Sequence, residues 1–239
     1  MEWIIKENSI GSRFRKDLNN NCQDKVYSIK DKESICIALA DGSGSSIYGD
    51  IGAEIAVKTS CEYMINNFDD LFKLSEEKIK YEVLCAVTRA LRKESILKNY
   101  YIKDLSSTLS LTAIKGNKYI SIFLGDGMIG KIQNGNLNCL FYFDSNKNNK
   151  HKYLTTTSYC YEVTEIDKGY CNDVELFFIL CDGVVDCFYD QDKNKVCINL
   201  NEVIKKDYVD IDEKINKKII NSSLSDDCSY VIAYRDKNN

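Results

Sequence analysis

Four apolar segments of this sequence stop or start at an aspartate beside a glycine or a second acid. Asp41-Gly42 follows ICIALA, Asp126-Gly127 follows ISIFLG, Asp182-Gly183 follows LFFILC, and Asp226-Asp227 precedes CSYVIAYR. Asp24, in NCQDKVYS, stands at the mouth of a further apolar run. One Asp-Gly after a strand is an ordinary turn. Five or six carboxylates gathered on one rim are different, because they repel unless a cation sits between them. Hard divalent ions such as Mg²⁺ or Mn²⁺ take oxygen ligands at roughly 2.0–2.2 Å, and these side chains supply them. A glycine after the aspartate also lets the backbone approach and offer its carbonyl.

The elements that must bring these acids together follow from hydrophobic period. EWIIKENSI, DKVYSI and ESICIALA read as short strands rich in Ile, Val and Tyr. Four glycines (Gly42, Gly44, Gly49, Gly52) then precede a helix with Ala53, Val57, Cys61, Met64, Ile65 and Phe68 on one face. A second helix is expected from Ser75, a candidate N-cap followed by Glu76 and Glu77, with Ile79, Val83, Leu84, Val87 and Leu91 as its apolar stripe. STLSLTAI, KYISIFLGD, MIGKIQNG and LNCLFYF read as consecutive strands, with hairpin turns at Lys115–Lys118 and Gln133–Asn136. DSNKNNKHK reads as a polar loop, YEVTEI and ELFFILCDG as strands, NLNEVIKKDYV and DIDEKINKKIINSS as helices, and CSYVIAYR as a last strand. This order makes no βαβ repeat. It predicts an α+β fold: two stacked antiparallel sheets flanked by helices, an α-β-β-α sandwich spanning residues 1–239 as one domain.

Composition narrows the classes. The 239 residues are 44% hydrophobic and 28% charged, with net charge −4, values of an ordinary globular chain. Lys and Arg are scattered rather than gathered into a stripe, which argues against nucleic acid. No apolar run nears the roughly 20 residues that span a bilayer, and the first residues lack a signal-peptide core. A cytoplasmic protein without a membrane partner is expected. The eleven cysteines form no C-x2-C or C-x4-C knuckle and sit mostly in apolar segments, as reduced, buried thiols would.

Taken in order, NCQD, ALADGSG with GDIGAEIA, SSTLSLTAI, IFLGDGMIGKI, LFFILCDGVVDCF and SDDCSYVIAY resemble the successive motifs of the metal-dependent protein serine/threonine phosphatases of type 2C, above all the bacterial branch. The resemblance covers about residues 10 to 235 and implies the same sandwich fold. It also implies hydrolysis of phosphoserine and phosphothreonine in proteins by a water activated between two Mn²⁺ or Mg²⁺ ions. By resemblance, Asp24 ligates a metal, Asp41 bridges the two with the Gly42 carbonyl beside it, and Asp182 and Asp226 complete the set. Asp126 resembles the residue that helps hold a third, weaker ion. The implied partner is a phosphoprotein whose serine/threonine kinase this activity opposes.

Three departures stand out. Ser43 follows Asp-Gly where some members carry a histidine, and Asp227 stands where the family more often has asparagine. The family's phosphate-gripping arginine lies shortly before the first aspartate, and here Arg13 and Arg15 are the candidates, each a few residues upstream. No cysteine has the C-x5-R spacing of a thiolate phosphatase, and His151 lies in the Lys/Asn-rich loop. Two rival readings stay open: an inactive relative that binds phosphoprotein or a regulator, and a hydrolase of small phosphoesters.

Overall fold

The computed structural model describes residues 2–12, 22–143, 154–188, 200, 208–222 and 226–236. Among the described residues, ten strands form two five-stranded antiparallel sheets. The first sheet orders β1 (Trp3–Ile10), β10 (Cys228–Arg235), β9 (Val174–Leu180), β6 (Met128–Gln133) and β7 (Asn136–Tyr142). The second orders β2 (Lys25–Lys30), β3 (Ser34–Ala40), β4 (Leu109–Lys115), β5 (Lys118–Leu124) and β8 (Glu165–Tyr170). Helices α1 (Gly49–Lys73) and α2 (Glu76–Lys98) join β3 to β4 through a 3₁₀ turn at Ile102–Leu105. The short helices α3 (Cys160–Val163) and α4 (Asp182–Cys187) and the longer α5 (Ile211–Ile220) complete the described elements.

Strand β3 shows how sequence sets the layers. Every residue from Ser34 to Ala40 is buried, so both faces are covered. Ile35, Ile37 and Leu39 point into the core between the sheets, while Cys36, Ala38 and Ala40 join the core beneath α1 and α2. The period of two sends bulk to one side and small side chains to the other, which lets α1 lie close to the sheet. On the opposite side, Ile211, Ile215 and Ile219 of α5 pack at i, i+4 spacing onto the first sheet's core.

Among the described residues the expected elements appear, with differences of boundary: the strand read at ELFFILCDG ends at Leu180, and Asp182–Cys187 is helical. Helix α1 begins at Gly49, earlier than its apolar stripe suggests, and Gly42 lies against Gly49 so closely that a Cβ on Gly42 would come within 2.6 Å of the Gly49 backbone. YEVTEI divides: Cys160–Val163 is a helical turn packed on the α2 side and the strand starts only at Glu165. The turn closes through the Thr164 hydroxyl, which donates to the Cys160 carbonyl at 2.6 Å, a local bond that competes with the strand. Ser75 occupies the N-cap position of α2 without a side-chain cap, its carbonyl accepting the Lys78 and Ile79 amides. Both hairpin turns form, with Asn134 and Gly135 at φ 52° and 70° as a two-residue primed turn needs. The loop at 144–152 and most of the helix read at 199–209 lie outside the described residues. No described helix is long and apolar enough to cross a membrane. The ten described cysteines are free thiols, five of them buried.

Candidate metal centre

Strand direction gathers the acids. In the second sheet β2 runs antiparallel to β3, so Lys25 pairs with Ala40 and the entrance of β2 lies beside the exit of β3. In the first sheet Tyr230 pairs with Leu180 and Met128 with Leu180, placing the starts of β10 and β6 at the exit of β9. Asp24, Asp41, Asp126, Asp182, Asp226 and Asp227 therefore all fall at one end of the sandwich.

Each acid is held by local chemistry. The Asp41 amide donates to the Thr108 hydroxyl and the Thr108 amide returns to the Asp41 carbonyl, at 2.8 and 2.9 Å. Gly42 bridges to Ser107, and the Ser43 amide donates to the Ser106 carbonyl, so the 41–43 segment is zipped onto the chain entering β4. Asp126 stands between Gly125 (φ 124°) and Gly127 (φ 97°), a backbone open to glycine that folds the exit of β5 into β6 within three residues. Asp182 opens α4 directly after β9, and its own Oδ1 accepts the Gly183 amide at 2.9 Å.

The result is two clusters that share a border. Carboxylate oxygens of Asp41, Asp126 and Asp182 lie within 4.8 Å of one another. A second group, Cys22, Asp24 and Asp227, meets the same limit. Asp24 links them: its carboxyl is pushed up to about 7, first by burial and then by the charges of Asp227 and Asp182, while polar contact with Ser229 and Asp41 offsets part of that. One Asp24 oxygen, Oδ2, is buried and lacks a hydrogen-bond partner. A buried orphan carboxylate oxygen among carboxylates at this spacing fits a hard divalent cation, since each like-charged pair otherwise costs roughly 3–4 kcal/mol at an effective dielectric of about 20.

Gly42 sits at the base of this arrangement, its amide donating to the Gln23 carbonyl at 3.3 Å. Asp226 is exposed at the rim, with Oδ1 accepting the Asp227 amide at 2.8 Å. It lies outside both tight clusters. It borders the first through Asp186, whose carboxyl is raised by partial burial and then by Asp182 and Asp226. Asp186 is an acid the sequence reading did not single out, although its i, i+4 spacing from Asp182 on a short helix was legible. Asp227 is the other surprise. It is buried, accepting the Ser12 amide on Oδ1 and the Gln23 amide on Oδ2, both at 2.8 Å. Cys22 stands two residues before Asp24, but only the fold brings Asp227 to the pair. Its thiol is pushed up to about 12, chiefly by burial and next by those two acids. Ser43 is buried, with its hydroxyl 2.9 Å from that of Ser45. Arg13, Arg15 and His151 lie outside the described residues.

Comparison with known proteins agrees with this geometry. No curated protein matches the sequence. Among solved structures, a Streptococcus agalactiae serine/threonine phosphatase superposes with a TM-score of 0.68 at 17% identity, over 98% of this chain and 100% of that one. The Mycobacterium tuberculosis serine/threonine phosphatase PstP/Ppp superposes with a TM-score of 0.67 at 14% identity, over 97% and 98% of the two chains. A PstP catalytic domain in complex with two manganese ions gives 0.68 at 16% identity, over 97% of each. Identities this low speak for the fold alone. Residues 13–213 match the family described as Protein phosphatase 2C, most of the chain, and the protein belongs to that family.

Proposed function

We propose that this protein is a Mn²⁺- or Mg²⁺-dependent protein serine/threonine phosphatase, that residues 1–239 act as one catalytic domain, and that it works in the cytoplasm against a serine/threonine kinase. The observation that carries the reading is the tight carboxylate cluster of Asp41, Asp126 and Asp182, bordered by the orphaned Asp24 oxygen, in a chain of the phosphatase family. Two divalent ions in such a site supply a water of lowered pKa and positive charge for the phosphoryl oxygens.

The chain's own residues then have distinct tasks. Asp41, fixed by Thr108 on both its amide and its carbonyl, would be the carboxylate shared by the two ions, with the Gly42 carbonyl as a further ligand. Asp24, Asp182 and Asp226 would supply the remaining carboxylate ligands. Asp126, on its glycine-flanked turn, is the residue for a third ion. Arg13 and Arg15 are the candidates to grip the substrate phosphate by paired N–H donors. Asp227 works by positioning: its carboxylate ties the segments at Ser12 and Gln23 to the start of β10. With the metals and carboxylates prearranged, positioning and charge stabilisation supply the rate, and no covalent phosphoenzyme is required.

A substrate panel tests the reading. In Mn²⁺, a phosphothreonine peptide should be hydrolysed in preference to small phosphoesters. Turnover of small phosphoesters alone would make the protein a small-molecule hydrolase. Silence on every substrate, from folded protein that still binds phosphopeptide, would make it a binding relative.

A further inference from the structure

We propose that Cys22, Asp24 and Asp227 form a second, softer metal site that takes a zinc-like divalent ion through one thiolate and two carboxylates. Their ligand atoms lie within 4.8 Å of one another, a span one ion can bridge. Zinc accepts mixed sulfur and oxygen ligands, at about 2.3 Å for sulfur and about 2.0–2.2 Å for carboxylate oxygen. Magnesium does not favour a thiolate, so the sulfur sets the preference.

Several features distinguish these residues from a chance cluster. Asp24, a member of this cluster, is 3% exposed, and its Oδ2 is a buried carboxylate oxygen without a hydrogen-bond partner, as a cation ligand would be. The Asp227 carboxylate is clamped by two backbone amides, the outer hydrogen bonding that orients a metal-binding carboxylate, and a carboxylate oxygen has a second acceptor position for the ion. The Cys22 segment is clamped as well: Lys25 Nζ donates to the Cys22 carbonyl at 2.7 Å, and the Gln23 amide to Asp227. A cysteine used as a small hydrophobe gains nothing beside two carboxylates. A cleft of about 480 Å³, lined by Glu7, Ser9 and Lys25 together with Cys22 and Asp24, reaches the cluster from outside and supplies the entry path.

The ion displaces the thiol proton, which leaves to solvent. Asp24 also borders the cluster of Asp41, Asp126 and Asp182, so an ion held by Cys22 and Asp227 competes with the phosphatase centre for this carboxylate. Zinc should therefore inhibit Mn²⁺-dependent turnover by occupying this site. The binding itself stands independently of the phosphatase reading; only the inhibition rests on it.

Cobalt(II) titration of the reduced full chain reads the site directly, through the near-ultraviolet thiolate-to-cobalt charge-transfer band. The band should appear at one equivalent in the wild type and vanish in Cys22→Ser, and Asp227→Asn should weaken cobalt binding at least about tenfold. X-ray absorption of the wild type loaded with one equivalent of zinc should show one sulfur neighbour, which keeps the test open should Cys22→Ser misfold. Absence of the band and of zinc–sulfur scattering in the wild type would overturn the proposal. So would a band that survives in folded Cys22→Ser. Phosphate release in Mn²⁺, measured on the same samples, reports the phosphatase reading separately.

Discussion

At the scale of single residues, the carboxylates decide both activity and pH response. Asp41→Asn removes the bridging charge but keeps the shape. It should lower turnover at least about 100-fold while leaving the melting temperature unchanged or raised, because one repelling acid is gone. Phosphate release and thermal unfolding of the same preparation check both halves. Asp24 gives the pH prediction. Its carboxyl is raised to about 7 in the folded chain, mainly by burial, so between about pH 4 and 7 the native state holds a proton that the unfolded state has lost. The metal-free protein should be most stable at the acid end of that window, with stability falling as pH rises through 7. Mn²⁺ should flatten the slope; melting curves in EDTA and in Mn²⁺ from pH 5 to 8 measure it, and an EDTA curve rising with pH would contradict it. Asp24, Asp41, Asp126, Asp182 and Asp226 were legible because each abuts an apolar run. Asp227 was legible only as an oddity, and Cys22 not at all, since it meets Asp227 from a segment some two hundred residues away.

At the scale of elements, the site depends on backbones packed without side chains between them. The 41–43 segment is pressed between the start of α1 and the chain entering β4, with Gly42 facing the carbonyl end of Gly49. A methyl group on Gly42 would lie 2.6–2.8 Å from the backbone of Gly49 and Asp50, where no side chain can yield. Gly42→Ala should therefore cost about 1–3 kcal/mol of stability and reduce turnover more than tenfold by displacing Asp41. Denaturant unfolding beside Mn²⁺ titration separates the two effects. Helices with a clear stripe were readable from period alone, as the buried positions Ile79, Val83, Leu84, Val87 and Leu91 of α2 show. The division of YEVTEI was not, because a four-residue helical turn and a strand end share the same short apolar pattern.

At the scale of the whole molecule, the two sheets are a rigid frame whose far-apart strands meet at one rim. Phe178 lies at the centre of the first sheet, fully buried, paired in register with Gly130 and Ile232. Phe178→Ala should cost about 3–5 kcal/mol, lowering the denaturation midpoint with little change in slope. The layered class was visible in the order of strands and helices. Strand order was not, since β1–β10 and β5–β8 pairing joins segments remote in sequence that period alone does not match. The frame matters because it converts scattered Asp-Gly dipeptides into one charged site. The most direct test of that claim is phosphate release from a phosphothreonine peptide by the wild type and by Asp182→Asn, in Mn²⁺, in Mg²⁺ and in EDTA. The carboxylate rim predicts release that requires a divalent ion and disappears in the variant. Release that persists in EDTA, or in folded Asp182→Asn, would contradict it.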